Sequence, residues 1–241
     1  MIRRGTFRPF AALAAALLAV AAVPGAQAQT QAPTRADSLR GSIGPARAWW
    51  DVAFYDLDVA VNPADSSVAG SNGITYRVLQ PATEMQIDLQ RLEVDSIVQD
   101  GRQLRHRRDG NALFVTLEAP QPAGALKTVT VHYHGRPRVA RRAPWDGGFV
   151  WTRDPGGDPW VATAVQGLGA SAWWPNKDTQ ADEPDSMRIA VAVPNGMTNV
   201  SNGRLRRSVP NADGTTTWEW FVASPINNYG VAVNAGSYVH F

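Results

Sequence analysis

The residues best suited to bind a ligand fall within one stretch, residues 160–184 (WVATAVQGLGASAWWPNKDTQADEP). A strand-like run there ends at the amide side chain of Gln166, and Gly167 and a second glycine follow it. Amides donate and accept hydrogen bonds, and glycines let the backbone approach a ligand closely. The aromatic pair Trp173-Trp174 stands nearby, as large aromatic side chains do in many pocket walls. These features suit the wall of a binding pocket that includes Gln166 and Gly167. Composition alone favours the alternative, a crowded crossover between strands with the tryptophans in the core, and the order of the residues described below favours the pocket.

Two histidines could also serve a chemical function, as metal ligands. His132 and His134 are two apart on a strand-like run, so both side chains share one face and could bind a metal. Thr128 and Thr130 lie on the same face, which is typical of the solvent side of a sheet, and no third ligand is near in the sequence. We therefore predict no metal site there. The chain has no cysteine, which excludes disulfides and thiol chemistry.

The order of the residues around Gln166 resembles the first domain of the aminopeptidase N family of zinc metallopeptidases. In that family a strand ends in Gln-x-Glu, and an aromatic-aromatic-Pro turn and an Asp-Glu-Pro-like loop follow. Here Gln166, Trp173-Trp174-Pro175 and Asp182-Glu183-Pro184 occur in this order. The likeness also takes in Tyr55-Asp56-Leu57 and the C-terminal INNYGVAVNAGSYVHF, so that it covers residues 50–241.

This resemblance implies a role for Gln166 and Gly167 in substrate binding. In the family, the glutamine lines the pocket for the first residue of a peptide, and a glutamate two places further on helps to hold the free amino group. Leu168 stands at that second place here and offers no acceptor. A buried ammonium group needs acceptors, ideally anionic ones. We therefore expect either a different selectivity or an acceptor supplied entirely by another domain.

The resemblance also shows which parts of the family pattern this sequence lacks. The family's zinc site is H-E-x-x-H followed by a distant glutamate, and its substrate clamp is G-x-M-E-N. None of the four histidines is followed by glutamate, and Gly196-Met197-Thr198-Asn199 lacks the glutamate of the clamp. We expect no catalytic residue and no metal ligand in this chain. Zinc is expected only in a following catalytic domain, the peptide N-terminus is the expected substrate of the full-length enzyme, and the isolated chain is expected to be inactive.

The N-terminus has the pattern of a secretory signal peptide over residues 1–28. Arginines precede an apolar run at residues 10–23, and Ala26-Gln27-Ala28 matches a cleavage site. The apolar run is about 14 residues long, which is short for a bilayer span, so no membrane span is expected after signal removal. The sequence therefore predicts a secreted or periplasmic protein.

Composition and charge fit one globular domain after this leader. Hydrophobic residues make up 44% of the 241 residues, enough for a substantial core. The formal net charge is +2, and three of the 23 basic residues lie in the leader, so nothing indicates a nucleic-acid partner. Residues 29–48 are polar, rich in Pro, Gly and Ala, and without periodicity, which predicts a flexible lead-in. The folded domain is predicted over residues 49–241.

Hydrophobicity within that domain alternates with a period of two residues. Tyr55, Leu57, Val59 and Val61 alternate with polar side chains, as in a half-buried strand. Turn signals such as Asp100-Gly101 separate short runs, and no window after residue 49 sustains a helical period. The pattern predicts an all-β fold of roughly ten or more short antiparallel strands, as a sandwich or a barrel, and the family resemblance implies a saddle-like sandwich. The predicted strands cover residues 55–62, 74–78, 85–90, 94–99, 102–106, 113–117, 129–134, 189–193, 218–222 and 229–233.

Two other hypotheses remain open at this stage. One is a stand-alone secreted β-sandwich that binds glycans or peptides, because the chain has nine tryptophans and Trp145 and Trp151 flank a glycine-bent loop. The other is a structural domain that has lost catalysis, as Leu168 suggests.

Two arginine-rich loops are predicted to be solvated surface, with an anionic partner or a following domain as the alternative; they contain Arg105, Arg107, Arg108, Arg136, Arg138, Arg141 and Arg142.

Overall fold

The computed structural model describes residues 32–143 and 145–239. Every element described below belongs to the second of the two units of the chain, Pro33–Phe241. The predicted signal peptide, residues 1–28, lies outside the described residues. Among the described helices, none has the length and apolar character needed to cross a bilayer.

Strands dominate the second unit, with two short α-helices before them and two 3₁₀ turns between them. The helices are α1 (Arg35–Gly41) and α2 (Pro45–Ala48), and the 3₁₀ helices are η1 (Ala170–Ala172) and η2 (Asn228–Gly230). The strands are β1 (Trp50–Asn62), β2 (Ser67–Val78), β3 (Glu84–Asp88), β4 (Glu93–Gln99), β5 (Arg102–Gln103), β6 (Arg105–Asp109), β7 (Ala112–Thr116), β8 (Leu126–Gly135), β9 (Gly148–Arg153), β10 (Pro159–Ala164), β11 (Ser186–Pro194), β12 (Thr198–Val200), β13 (Arg204–Pro210), β14 (Thr215–Val222) and β15 (Asn234–Gly236).

These strands form three sheets in the described part of the chain. The largest has the order β13-β14-β11-β1-β2-β8-β4-β5, and the smaller sheets have the orders β12-β15-β10-β9 and β3-β7-β6. The predicted all-β class is confirmed. The prediction of antiparallel strands is wrong for one pair, because β1 and β11 run parallel in the centre of the large sheet. Parallel neighbours need a long connection, and local periodicity carries no information about the direction of such distant partners.

One face of the large sheet lies in a core that it shares with both smaller sheets. Along β1, Tyr55, Leu57 and Val59 are buried, because alternate side chains of a strand point to the same face. Asp56 and Asp58 point to the opposite face and contact Arg188 of β11 at 2.7 and 2.9 Å. The sequence alternation therefore separates an apolar inner face from a charged outer face.

His132 and His134 lie on this outer face, where both side chains are exposed. His134 Nδ1 is 2.7 Å from an Asp95 carboxylate oxygen. Within residues 32–143 and 145–239, no three His, Cys, Asp or Glu side chains are grouped so as to hold a metal ion. The two histidines therefore stand on the polar side of the sheet, as their threonine neighbours indicate.

The lead-in differs from its sequence prediction. Residues 29–48 were expected to be flexible, whereas the structure has α1 and α2 within them and buries Arg47 completely. Arg47 forms an ion pair with Asp88, which is 41 residues away in the sequence. Local composition cannot reveal so distant a partner, and for that reason the ordered domain begins before Trp49.

Candidate functional site

Gln166 lies at the tip of the turn that follows β10. The backbone N–H groups of Leu168 and Gly169 donate to the Val165 carbonyl at 3.0 and 2.8 Å, which places Gln166 and Gly167 at the exposed tip of this turn. Gln166 lines a surface cavity of about 530 Å³. The cavity has four walls: the loop after β10, residues 178–181, the region of η2, and the lead-in helix α1. Besides Gln166, its lining includes Asp37, Arg40, Gly169, Asp178, Asn227 and Tyr229.

The two glycines of this loop have different roles. At Gly167 an added Cβ atom would meet no other atom within 4 Å, so packing leaves room for a side chain at this position. Its carbonyl accepts a hydrogen bond from Arg40 Nη2 at 2.9 Å. Gly169 has φ +94°, and a Cβ there would lie 2.3 Å from a carboxylate oxygen of Asp178. Glycine is therefore required at position 169, because both the backbone conformation and the close contact exclude a side chain.

Asp178 fixes the backbone that follows Gly169. Its carboxylate accepts hydrogen bonds from the N–H groups of Ala170 and Ser171 at 3.2 Å each, and from Ser171 Oγ at 2.6 Å. These N–H groups begin η1 and have no partner within that short helix, so the carboxylate acts as its cap. The Asp178 N–H in turn donates to Asp88 Oδ2 at 3.0 Å. The loop behind Gln166 is thereby tied to the interior of the domain.

A buried ion pair lies under this loop. Asp88 contacts Arg47 and also accepts a hydrogen bond from Gln86 Nε2 at 3.0 Å. Burial raises the pKa of Asp88 to about 6, and the Arg47 guanidinium opposes this rise. Arg47 donates further hydrogen bonds to the carbonyls of Arg40 and Ser42, at 3.0 and 3.2 Å. One buried pair therefore connects the loop after β10 with the end of α1.

The two tryptophans of this stretch do not line the cavity. Trp173 and Trp174 are fully buried; Trp174 packs edge-on against Tyr55 with ring centroids 5.0 Å apart, and Trp173 against Phe149 at 5.9 Å. Their predicted place in the pocket wall is wrong: both tryptophans lie in the core, as in the crossover alternative, while Gln166 of the same stretch lines the cavity. The reason is that η1 turns the chain inward just before this pair.

The Asp-Glu-Pro loop also has a structural role. Asp182 forms an ion pair with the buried Lys177 and accepts a hydrogen bond from the Val52 N–H at 3.2 Å. Lys177 Nζ donates to the Trp50 carbonyl at 2.5 Å and lies 4.3 Å from the centroid of the Trp50 ring. Burial lowers the pKa of Lys177, and Asp182 partly offsets this effect. Asp182 thus holds the loop against the start of β1, while Glu183 is exposed.

Leu168 occupies the position where a carboxylate is found in the resembling family. Its side chain is half-buried and packs against the hydrophobic core, and its carbonyl accepts a hydrogen bond from Gln90 Nε2 at 3.0 Å. The carboxylates that line the cavity belong instead to Asp37 and Asp178. The hydrogen bond from Thr34 lowers the pKa of Asp37 and keeps its carboxylate ionised. Sequence reasoning missed Asp37 and Arg40 because both lie in the segment assigned to the lead-in.

The chemistry available in this cavity is that of binding. It offers the amide groups of Gln166 and Asn227, the carboxylate of Asp37 and the guanidinium of Arg40. A ligand with both donors and acceptors can be held by such a set.

A second, larger cavity of about 660 Å³ lies at the other end of β10. Trp151, Trp160 and Met197 line it together with Arg153 and Asp158. Trp151 stacks on Phe149 with ring centroids 4.9 Å apart, and Trp145, its predicted companion, is 79% exposed and does not line this cavity. The structure therefore places Trp151 and Trp160 in the lining of one cavity, which the spacing of Trp145 and Trp151 did not indicate.

Comparison with known proteins adds family and fold information. Residues 52–229 match the peptidase M1 N-terminal domain. An M1 zinc metallopeptidase from Deinococcus radiodurans has a similar structure, with a TM-score of 0.68 and 20% sequence identity over 79% of this chain and 43% of that one. Leukotriene A4 hydrolase from Saccharomyces cerevisiae gives a TM-score of 0.62 and 17% identity over 78% of this chain and 29% of that one. The chain thus spans less than half of each. No curated protein matches it.

Proposed function

The chain belongs to the peptidase M1 N-terminal domain family, and from that premise we propose that it is the N-terminal domain of an exported zinc aminopeptidase-like metallopeptidase. In this role the domain contributes one wall of the substrate cleft, with Gln166 and Gly167 facing the N-terminus of a peptide. The zinc ligands and the general base belong to a following catalytic domain. The isolated chain is inactive for that reason.

One observation carries this proposal: Gln166 is exposed beside a cavity of about 530 Å³, on a loop whose backbone is fixed from behind. A preorganised loop loses little conformational entropy when it binds a ligand, which favours a recognition role over a merely connecting one. The comparisons support the ligand class. They include a mutant of the Deinococcus enzyme bound to a Tyr-Ser-Ala substrate and a two-domain M1 enzyme bound to L-arginine.

Zinc has no fitting ligand set among residues 32–143 and 145–239. The proposed contribution of this chain is therefore confined to binding and orientation. The Gln166 amide can accept a hydrogen bond from an ammonium group and donate one to a carbonyl. In the enzyme as proposed, this amide fixes the first residue of the peptide while the remaining ammonium contacts come from outside the loop, since Leu168 supplies none.

Hydrolysis of aminoacyl p-nitroanilides tests the enzymatic role. We compare residues 29–241 with a longer product of the same reading frame and expect hydrolysis only from the longer one. Downstream codons are expected to encode H-E-x-x-H within roughly 150 residues, the length of one typical domain. Hydrolysis by residues 29–241 alone, or the absence of that motif, would overturn the proposal.

The role of Gln166 is tested in the longer product. Gln166→Ala is expected to lower kcat/KM about tenfold or more, the effect of losing roughly one charge-assisted hydrogen bond. Gln103→Ala on β5 is the matched control, since Gln103 is exposed and lines a different cavity. Equal activity of both variants and the unaltered enzyme would exclude Gln166 from the substrate cleft.

Export is tested by fractionating cells that express the complete sequence. We expect the mature protein outside the cytoplasm, with Gln29 as its first residue. Retention of Met1 on a cytoplasmic product would contradict export without affecting the proposed substrate role.

The second cavity supports an alternative, a stand-alone secreted β-sandwich that binds glycans or peptides. Tryptophan side chains with polar neighbours, as at Trp151, Trp160 and Asp158, suit the apolar face and hydroxyl groups of a sugar ring. Saturable quenching of tryptophan fluorescence by an oligosaccharide, lost in Trp160→Ala, would favour this alternative. No response across a panel of oligosaccharides and peptides would count against it.

A further inference from the structure

Two loops leave the hairpin of β9 and β10 at the same end. Gly148, the first residue of β9, is paired with Ala164, the last residue of β10. The segment before β9 therefore emerges beside the turn that carries Gln166, since one antiparallel strand begins where its partner ends. The two loops touch at Gly147, where an added Cβ atom would lie 2.9 Å from the Leu168 Cβ. A second surface thus adjoins the Gln166 turn.

This segment, the arginine loop, comprises residues 136–143 and 145–147. It carries four exposed arginines, Arg136, Arg138, Arg141 and Arg142, and a single acidic residue, Asp146. Elsewhere in the domain, exposed arginines such as Arg35 and Arg102 are paired with carboxylates. None of the four loop arginines forms an ion pair with another described residue. The arginine loop therefore presents an excess of positive charge to solvent.

The backbone of the arginine loop is held by hydrogen bonds. The Asp146 carboxylate accepts from the N–H groups of Arg141 and Arg142 at 2.7 and 2.9 Å. The Ala140 N–H donates to the Phe149 carbonyl at 2.8 Å, which fastens the loop to β9. A loop fixed in this way loses little conformational entropy on binding. Its one carboxylate is directed to the backbone, and the guanidinium groups are left for an external partner.

Trp145 is the large aromatic side chain of the arginine loop, and it is 79% exposed. Its N–H donates to the Arg142 carbonyl at 2.9 Å, so its backbone is fastened while its ring lies in solvent. Tryptophan and arginine are the residue types most enriched in the contacts that dominate binding energy. An indole ring offers apolar contact area, and guanidinium groups bind carboxylates with paired hydrogen bonds. A peptide with acidic side chains matches both.

We propose that the arginine loop binds an acidic segment of a peptide whose first residue lies at the Gln166 turn. The guanidinium groups contact the Asp or Glu carboxylates of the peptide, and Trp145 packs against its chain. The surface beside Gln166 thus favours peptides with acidic residues after the first positions. The placement of the first residue rests on the proposed function, whereas the binding of an acidic segment rests on the loop alone.

Fluorescence anisotropy measures this binding without any catalytic step. The probes are two peptides of equal length, Ala-Ala-Glu-Glu-Glu-Glu and Ala-Ala-Gln-Gln-Gln-Gln, each with a free N-terminus and a C-terminal fluorescein. We expect the full chain to bind the glutamate peptide about tenfold more tightly at low salt, because several weak ion pairs add. This preference is expected to disappear between about 50 mM and about 500 mM NaCl, because salt shortens the Debye length.

Substitutions in the loop locate the binding. Arg141→Ala with Arg142→Ala keeps the backbone N–H groups of the loop and is expected to weaken binding of the glutamate peptide alone, about fivefold. Arg77→Ala with Arg204→Ala removes the same charge from exposed positions on β2 and β13, and this matched control is expected to bind like the unaltered chain. Trp145→Ala is expected to weaken binding of both peptides about threefold, and Trp145→Phe to restore most of it.

Three outcomes would overturn the inference. One is no binding, or equal affinity for the two peptides. Another is an equal loss of affinity in the loop pair and in the control pair, which would show an effect of net charge. The third is sedimentation of the chain with phosphatidylglycerol vesicles that the loop pair abolishes, while peptide binding is unaffected, which would assign the loop to a lipid surface. Arg136→Ala with Arg138→Ala repeats the measurement if circular dichroism shows that the first pair alters the fold.

The hydrolysis assay separates this inference from the proposed function. Preferential binding of the glutamate peptide, together with no hydrolysis by the longer product, would support the inference and overturn the peptidase role. Hydrolysis by the longer product without that preference would do the reverse.

Discussion

Two walls of the Gln166 cavity, the loop after β10 and the helix α1, are held in different ways. The loop after β10 is fixed by a carboxylate cap, by a glycine that admits no side chain, and by a buried ion pair beneath it. The wall formed by α1 has no buried residue: its first turn is held by the exposed Arg35–Asp109 pair, and the carbonyls of its last turn accept hydrogen bonds from the buried Gln86 and Arg47. A wall is therefore not rigid merely because it lies beside a site. Its rigidity depends on how deeply its polar contacts are buried.

Arg47 and Arg35 allow a direct comparison of a buried with an exposed contact, since both are lead-in arginines paired with an aspartate. Arg47→Ala is expected to lower the free energy of unfolding by about 3–5 kcal/mol, because it leaves the Asp88 charge buried without a partner. Arg35→Ala is expected to lower it by less than about 1 kcal/mol, since the Arg35 side chain is 69% exposed. Urea unfolding measures both, and similar effects would remove the distinction between the two walls.

The pH dependence of stability comes from the same buried pair. The pKa of Asp88 rises from 3.8 to about 6 on folding, so the folded state binds a proton that the unfolded state releases between these values. The contribution of Asp88 to stability is therefore greatest below pH 4 and decreases as pH rises through 6, by about 3 kcal/mol at most. Urea unfolding from pH 4 to 7 is expected to show this decrease for the unaltered chain and its absence for Asp88→Asn. The same slope in both would contradict the assignment.

The two loop glycines provide a matched pair of substitutions. Gly169→Ala is expected to destabilise the domain by about 1–3 kcal/mol, because alanine is strained at φ +94° and its Cβ would contact Asp178. Gly167→Ala is expected to change stability by less than about 0.5 kcal/mol, since its Cβ site is open. Thermal unfolding compares them, and a large effect of Gly167→Ala would show that the tip of the turn is as constrained as its base.

The smallest effect is expected at the tip itself. Gln166→Ala should change the free energy of unfolding by less than about 0.5 kcal/mol, because the side chain is exposed. If Gln166→Ala lowers the activity but leaves the free energy of unfolding nearly unchanged, the loss of activity comes from binding and not from a damaged structure. A substantial loss of stability would mean that Gln166 supports the loop and would weaken its assignment to the substrate.

Much of the fold could be predicted from the alternation of side chains. The pattern along β1 and β8 gave both the strands and the buried face, because a half-buried strand repeats every two residues. It failed for β13, where all seven residues of RLRRSVP are exposed and no alternation exists. It also failed for residues 229–233, predicted as a strand, where the structure has the end of η2 and no strand before β15.

The residues of the candidate site differ in the same way: some are marked by local sequence signals and others are not. Gln166 lies exposed beside a cavity at the end of a strand, and the run before it and the glycines after it are local signals; its role in substrate binding stays a prediction. Trp173 and Trp174 were misplaced, because η1 directs them inward and local sequence does not show that direction. Asp37 and Arg40 could not be assigned, since their segment has a composition typical of flexible chains.

The sequence by itself determined the period-two alternation, and with it the strands, the separation of apolar and charged faces, and the turn that carries Gln166. The tertiary structure alone decided that β1 and β11 are parallel neighbours and that α1 forms the opposite wall of the cavity. The physical reason is distance along the chain. Arg40 and Gly167 are 127 residues apart, and Arg47 and Asp88 are 41 residues apart. Contacts between such residues depend on how the sheets pack, which no local pattern encodes.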